Sequence, residues 1–158
     1  MELSTDAIQV NGEIDSRYTC DLDDSSPELR WSRAPEGTES FVLIVEDPDA
    51  AFGVFTHWLI YNIPAHIHHL PAGIPSQEIM PNGICQGVNS FGRLGYSGPC
   101  PPLGSGPHHY HFKLYALKKG PIIRSRIKRD ELFREISGSI LSMTEVVGTY
   151  QRMVMKAG

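Results

Sequence analysis

Four side chains that can bind or activate an anion occur where short apolar runs of the sequence begin or end. They are Asp47, His57, His108 and Tyr110. Imidazole N–H and phenol O–H groups donate hydrogen bonds to the oxygens of an anion, and a nearby carboxylate can orient and charge an imidazole. On β scaffolds, functional groups tend to lie at strand ends beside loops. These residue types in these places predict a small anion-binding pocket.

A stiff loop leads into the last two of these residues. Segment 95–110 contains four Gly and four Pro, a composition that excludes a helix interior or a central strand. Each Pro fixes its own φ, and Gly permits close approach of the backbone to a ligand. His108 and Tyr110 share strand parity with Phe112 and Leu114, so we expect them at the core-side rim of a rigid pocket.

Short alternating or β-branched runs between turn residues predict strands that position these side chains. The predicted strands are 7–10, 17–20, 29–32, 40–46, 56–62, 84–87 and 109–116. Segment 40–46 is apolar almost throughout, which indicates a strand buried on both faces. Alternation in segment 56–62 places His57 on the same face as Leu59 and Tyr61. The sum predicts an all-β core of mostly antiparallel strands, arranged as a β-sandwich.

The C-terminal segment has a different pattern, which predicts a helical appendage over about 130–153. Asp130 can cap a helix, and the apolar residues that follow it recur at three- and four-residue steps. They are Leu132, Phe133, Ile136, Ile140, Met143, Val147 and Tyr150. We expect this helix, split near Gly138, to cover an edge or a face of the sheet.

Length and composition predict one domain, 1–158, that needs no disulfide or metal ion to stabilise it. The chain has 158 residues and a net charge of −4, with 13 Asp/Glu and three Arg in residues 1–49 against five Asp/Glu and 11 Lys/Arg in residues 50–158. Cys20, Cys85 and Cys100 are odd in number and widely spaced, so we expect reduced thiols. The acidic N-terminus and the short apolar runs predict neither secretion nor a membrane span, and favour a cytoplasmic location.

Other function classes receive less support from the residues. His66, His68 and His69 lack the carboxylate or helical spacing of a zinc site, so we predict neither a metal nor another cofactor. Nucleophile-elbow, phosphate-loop and dinucleotide signatures are absent, and no nucleic-acid motif accompanies the basic cluster in 118–129. Two alternatives to a binding protein stay open. One is a hydrolase or lyase that uses Asp47 and His57 as a base pair, and the other is an interaction module that acts through segment 118–129.

Several motifs resemble the phosphatidylethanolamine-binding proteins, also called Raf kinase inhibitor-like, and in particular their compact bacterial and archaeal branch. The main motifs are 47–50 (Asp-Pro-Asp-Ala), 57–58 (His-Trp), 95–102 (Gly-Tyr-Ser-Gly-Pro-Cys-Pro-Pro), 106–110 (Gly-Pro-His-His-Tyr) and 114–117 (Leu-Tyr-Ala-Leu). Supporting motifs are 18–21, 26–27, Trp31, 81–83 and 148–152. The resemblance spans nearly the whole chain in consistent order.

The resemblance implies a Greek-key β-sandwich with short C-terminal helices and one pocket for phosphate or a phospholipid headgroup. The matching ligand-binding residues are Asp47, His57, Pro101, Pro102, His108 and Tyr110, with the two Pro forming a wall. The resemblance also implies a non-enzymatic role, with modulation of a protein kinase or protease, peripheral membrane contact and a homodimer as further alternatives.

Two positions depart from the motifs of the family. His109 replaces the usual Arg, which removes a fixed charge and a bidentate donor. Ala51 replaces the usual Pro after 47–50, which loosens that turn. We therefore expect that whatever the Arg holds in relatives is held differently here.

Overall fold

The computed structural model describes residues 1–154, and residues 155–158 of the predicted domain lie outside the described residues. Eight strands and one α-helix form the described chain. They are β1 (Glu2–Ser4), β2 (Leu29–Ser32), β3 (Ser40–Asp47), β4 (Phe55–Pro64), β5 (His69–Leu70), β6 (Cys85–Gln86), β7 (His108–Leu117), α1 (Arg129–Ile136) and β8 (Ile140–Tyr150). Two short 3₁₀ turns, Ser16–Tyr18 and Pro81–Gly83, complete the elements.

The strands form two antiparallel sheets, as the predicted mostly-β fold requires. The smaller sheet has the order β1-β2-β5, and the larger has the order β6-β4-β3-β7-β8. A core between the sheets contains Trp31 of β2, Phe41 of β3 and Trp58 of β4. The Greek-key order of the connections stays a prediction.

The central strand β3 is buried along its whole length, which confirms the expectation from its apolar sequence. On the face opposite the smaller sheet it packs against a second cluster, which includes Ile127, Leu132 and Ile136 from the segment around α1. Side chains of both parities therefore leave water, and this explains the lack of polar alternation. The strand ends at Asp47, where its last side chain reaches the edge of the core.

The predicted helical appendage over 130–153 is wrong beyond residue 136. Helix α1 stops at Ile136, and Ile140–Tyr150 is a strand that pairs with all ten residues of β7. Burial along β8 alternates from residue to residue, which is the period of a strand. Helical spacing of the apolar residues in this segment was coincidental, since pairing with β7 determines the structure. Asp130 lies in the first turn of α1, where Glu131 accepts the N–H of Lys128 at 3.2 Å.

The strand predicted over 17–20 is also wrong. Its first part belongs to the 3₁₀ turn Ser16–Tyr18, in which Asp15 accepts the N–H of Arg17 at 3.0 Å. The short side-chain bond competes with strand pairing at this point. Within residues 1–154, no helix has the length and apolar character needed to cross a membrane.

Candidate functional site

All six residues predicted to bind ligand line one cavity of about 520 Å³. They are Asp47, His57, Pro101, Pro102, His108 and Tyr110. The cavity lies where β3 ends and where β4 and β7 begin, so it opens at one end of the larger sheet. The structure brings these residues together, while their role as ligand contacts stays a prediction.

Asp47 uses both carboxylate oxygens within the protein. Its Oδ1 accepts the N–H of Asp49 at 2.7 Å, and its Oδ2 accepts Nδ1–H of His108 at 2.7 Å. Both side chains are largely buried, at 5% and 13% exposure. Asp47 therefore fixes the His108 ring with Nδ1 protonated, and the other ring nitrogen, Nε2, lies 3.4 Å from Oγ of Ser105. The alternative of an Asp47–His57 base pair does not match this geometry, because the hydrogen-bonded pair is Asp47–His108.

His57 is held by a backbone carbonyl. Its Nδ1 lies 2.7 Å from the carbonyl oxygen of Ser97. Because a carbonyl oxygen can only accept, Nδ1 must carry the proton. Burial lowers the pKa of His57 below 6.5, against smaller opposing contributions from the Ser97 and Gly98 carbonyls and the carboxylates of Asp47 and Asp24. Above about pH 6.5 the ring is therefore a neutral imidazole with its lone pair on Nε2.

A β-bulge turns His57 toward the cavity. Val45 pairs with Trp58 and Glu46 pairs with Thr56, so His57 is the extra residue on β4. Such a bulge changes the direction of a side chain relative to strict alternation. The prediction that His57 shares a face with Leu59 and Tyr61 is wrong for this reason: those two join the cluster around α1, whereas His57 contacts Tyr110 with ring centroids 5.3 Å apart.

Tyr110 presents a protonated hydroxyl to the cavity. Burial and then the charge of Asp47 raise the pKa of its phenol well above 10.0. The Tyr110 hydroxyl and His57 Nε2 make no hydrogen bond within residues 1–154. In that part of the chain, Nε1 of Trp31 is the one side-chain nitrogen or oxygen that is both buried from solvent and without a hydrogen bond. The Tyr110 hydroxyl and His57 Nε2 are therefore accessible, and the cavity that both residues line gives that access. The burial of β7 confirms the prediction that Tyr110, Phe112 and Leu114 share the core-side face of the strand, with His108 at its rim.

His109 holds the loop that forms the outer wall of the cavity. Both its backbone N–H and its Nδ1 lie 2.8 Å from Oδ2 of Asp49. These bonds from His109 lower the pKa of Asp49 below 3.8. The residue that departs from the motif thus ties the start of β7 to the turn after β3.

The mouth of the cavity is apolar, a feature that the sequence reasoning missed. Phe52, Val54 and Phe91 line it and are 105%, 52% and 44% exposed. Phe55 packs edge-on against Phe91 at 4.7 Å between centroids. The sequence contained one signal of this apolar mouth, namely a Phe in the short loop after 47–50, since apolar residues at the tip of a loop rarely pack in the core.

A disulfide supports the Pro-rich wall, and it corrects the expectation of reduced thiols. Cys20 and Cys100 are bonded, with Cα atoms 5.4 Å apart, and Cys85 is free. Cys100 lies between Pro99 and Pro101 and lines the cavity. The two cysteines are 80 residues apart, so their spacing gave no sign of the pair. Nearby, Asp24 accepts the N–H of Gly98 at 2.7 Å and adds a second tie from the N-terminal segment.

The other candidate regions have internal partners. His69 lies 3.2 Å from Glu28, and His68 packs edge-on against Phe41. Among residues 1–154, no group of three or more His, Cys, Asp or Glu side chains could hold a metal ion. In the basic segment, Lys119 pairs with Glu135, and Arg124 with Glu131 and Glu135. The three atom pairs of these contacts are 2.6 to 3.4 Å apart.

Comparisons with known proteins agree on one family. Residues 4–151 match the family model described as phosphatidylethanolamine-binding protein. The chain is 42% identical to a UPF0098 protein of Aquifex aeolicus, over 96% of this chain and 89% of that one, and 46% identical to one of Pyrococcus abyssi, over 88% and 79%. It also resembles the crystal structure of Escherichia coli YbcL, described as a new member of the mammalian PEBP family, with a TM-score of 0.87, 32% identity, and coverage of 95% of this chain and 97% of that one.

Proposed function

The chain belongs to the phosphatidylethanolamine-binding protein family, and from this premise we propose that it is a non-enzymatic binding protein for phosphate or a phosphate-bearing headgroup. The observation that carries the proposal is the convergence of Asp47, His57, His108 and Tyr110 on one cavity. Family membership alone gives no ligand, so the argument depends on the chemistry of these groups.

Two hydrogen-bond donors favour an anion in this cavity. Tyr110 keeps its proton and opens to the cavity, so its hydroxyl can donate to an oxyanion. His108 can donate from Nε2 in its protonated form, in which Nδ1–H keeps its bond to the Asp47 carboxylate at 2.7 Å. An imidazolium donor to an oxyanion is a charge-assisted bond, which is stronger than a neutral one.

The apolar mouth favours a ligand with an apolar part beside its phosphate. Phe52, Val54 and Phe91 surround the opening, and their exposure would be reduced by a bound alkyl or aryl group. An alkyl or aryl phosphate meets this requirement. Free phosphate would contact the polar residues of the cavity and leave the apolar mouth exposed.

The test is an NMR titration of the imidazole resonances with inorganic phosphate and with phosphoethanolamine. We expect saturable shifts of His57 and His108 in the wild type. Tyr110→Phe should weaken binding about five- to twentyfold, because one donor is lost. His108→Ala should weaken it further, since the charged donor is removed and Asp47 is left without its partner.

The matched control is His111→Ala, a histidine of the same strand on the opposite face, where it pairs with Glu145 at 3.1 Å. This variant should bind as the wild type does. If the exposed histidines alone respond, with equal strength in all variants, the proposed function is wrong. Release of free phosphate from phosphoethanolamine, lost in His57→Ala, would instead support the hydrolase or lyase alternative.

The remaining expectations about partners and location stay predictions. They are a protein kinase or protease partner, peripheral membrane contact, a homodimer and a cytoplasmic location. The Cys20–Cys100 disulfide weighs against the last of these, since disulfides persist mainly in oxidising compartments. The pairing of Lys119 and Arg124 within the chain reduces the charge that segment 118–129 could offer to a partner.

A further inference from the structure

His57 differs from Tyr110 and from protonated His108, the donors of the cavity, because the ring nitrogen that it turns to the cavity accepts a hydrogen bond when the imidazole is neutral. Its Nδ1–H is committed to the carbonyl of Ser97 at 2.7 Å, so Nε2 carries the lone pair. The side chain is 3% exposed, and Nε2 makes no hydrogen bond within residues 1–154 and is still not sealed from solvent. A buried acceptor is therefore directed into the cavity.

A fully deprotonated oxyanion would meet this acceptor with a repulsive contact. Each oxygen of sulfate or of a phosphodiester carries lone pairs and no proton, so it cannot satisfy Nε2. A phosphate monoester has a second pKa of about 6 and keeps one P–O–H group below that pH. That hydroxyl can donate to Nε2 while the other oxygens accept from Tyr110 and His108.

We propose that the pocket selects oxyanions that carry an acidic proton, namely hydrogen phosphate and phosphate monoesters, and that His57 is the residue that determines this specificity. The inference deepens the proposed function and rests on it. It distinguishes two kinds of phosphate ligand. A free phosphate or a monoester can donate a hydrogen bond to His57 Nε2, whereas the phosphodiester of an intact phospholipid cannot.

The groups around His57 keep it in the acceptor state. Phe55 and Tyr110 pack against the ring at 4.9 and 5.3 Å between centroids, and burial lowers its pKa. The charged or titratable groups that face it are Asp47, Asp24, Tyr110 and His108. Asp47 accepts Nδ1–H of His108 at 2.7 Å, and its effect on the pKa of His57 is smaller than that of burial.

Two probes of equal charge and nearly equal shape test the proposal. At about pH 5.5, methyl phosphate is a monoanion with one P–O–H group, and methyl sulfate is a monoanion with none. We expect methyl phosphate to bind the wild-type protein about tenfold more tightly than methyl sulfate by calorimetry, because methyl sulfate leaves the buried Nε2 acceptor without a donor. Dimethyl phosphate, also a monoanion without a proton, should bind as weakly as methyl sulfate.

A spectroscopic measurement on the same complex makes the test independent of any variant. The ¹⁵N shifts of His57 should show a protonated Nδ1 and an unprotonated Nε2 both before and after methyl phosphate binds. In His57→Phe, which keeps an aromatic ring against Phe55 and Tyr110, the ratio between the two probes should fall to about one. His111→Ala should leave the ratio unchanged.

The outcomes separate the two proposals. Equal binding of methyl phosphate and methyl sulfate, or a protonated Nε2 in the complex, overturns the specificity of His57 and leaves the anion pocket in place. Binding of dimethyl phosphate as tightly as methyl phosphate has the same meaning. If none of the three probes shifts His57 and His108, the proposed function itself is wrong, and this inference falls with it.

Discussion

His57 links the chemistry of single residues to the stability of the protein. It is neutral in the folded state because burial lowers its pKa below the ordinary value of 6.5. As the pH falls below about 6.5, the unfolded chain takes up a proton that the folded protein refuses. The contribution of His57 to the free energy of unfolding should therefore be complete above about pH 6.5. Between that pH and the lowered pKa it should decrease as the pH falls, by at most about 1.4 kcal/mol per pH unit.

Chemical denaturation across pH 4–7 checks this prediction. The slope of the free energy of unfolding against pH should be smaller in His57→Gln than in the wild type, whatever the absolute stability of the variant. His66→Gln, which replaces an exposed histidine, should keep the wild-type slope. An unchanged slope in His57→Gln would mean that the ring titrates equally in both states.

For single residues, the sequence predicted which side chains lie together at the cavity, but it did not predict which hydrogen bonds they make. Asp47, His108 and Tyr110 were predictable because strand ends and parity place them, and both depend on local sequence. The partner of His57 was not, since the Ser97 carbonyl is a backbone atom 40 residues away and leaves no trace in residue types. The pairing of Asp47 with His108 likewise depends on the order of strands in the sheet.

The elements that shape the cavity include a wall fixed by the Cys20–Cys100 disulfide. The bond closes a loop of about 80 residues and joins the N-terminal segment to the Pro101–Pro102 wall. Replacing both cysteines by Ser should lower the free energy of unfolding by about 2–4 kcal/mol, because the unfolded chain gains freedom. We also expect weaker phosphate binding, since the wall loses one of its supports.

Denaturation and phosphate titration of the double Ser variant measure both effects. The free cysteine offers a control, because Cys85→Ser breaks no covalent bond. Loss of stability with unchanged phosphate affinity would show that the wall is rigid without the disulfide. In that case Asp24 and the prolines themselves would be sufficient to hold it.

Strand β8 shows how an element can depend on one close contact. Gly148 pairs with Tyr110 of β7, and a Cβ at Gly148 would lie 2.6 Å from Cγ1 of Ile14 and 2.9 Å from Cγ1 of Ile8. Gly148→Ala should therefore lower the free energy of unfolding by about 1–3 kcal/mol through overpacking. Thermal and denaturant unfolding measure the loss.

The control for this substitution is Gly138→Ala between α1 and β8. A Cβ at Gly138 would meet no atom within 4 Å. Its stability should stay within about 0.5 kcal/mol of the wild type. If both variants lose the same stability, the contact with Ile14 is not responsible for the cost.

Two of the errors at this scale originate in strand pairing. Strand β8 has apolar residues at helical spacing, and ten residue pairs with β7 override that pattern. The bulge at His57 arises from the register between β3 and β4, which no single segment contains. Strands β2 and β7 were predicted to within one residue at each end, because their signals are local.

The whole molecule brings together the opposite charges of its two sequence halves. Glu46 is 4% exposed and accepts from Lys113 at 2.8 Å and from Arg129 at 3.2 Å. Arg152 reaches back to Asp21 at 3.0 Å. These three ion pairs join the acidic residues 1–49 to the basic remainder of the chain across the fold.

The cavity likewise exists in the folded molecule alone, because its residues come from positions 47 to 110 and meet through long-range pairing. A ligand that binds the folded state stabilises it by RT ln(1 + [L]/Kd), or about 2.7 kcal/mol at a hundredfold excess over Kd. Inorganic phosphate at about pH 5.5, where it carries a proton, should therefore raise the Tm of the wild type. Because the gain follows from occupancy, it should grow with the logarithm of the phosphate concentration.

Differential scanning calorimetry at constant ionic strength separates this effect from general salt stabilisation. His111→Ala should show the full rise in Tm, since its side chain lies on the face away from the cavity, beside Glu145. His108→Ala should show little or none, because the charged donor next to Asp47 is gone. Sulfate should raise the Tm of all three proteins equally and less than phosphate raises that of the wild type, since it meets the His57 acceptor without a proton. An equal rise with phosphate in His108→Ala would assign the stabilisation to the protein surface and contradict a site in the cavity.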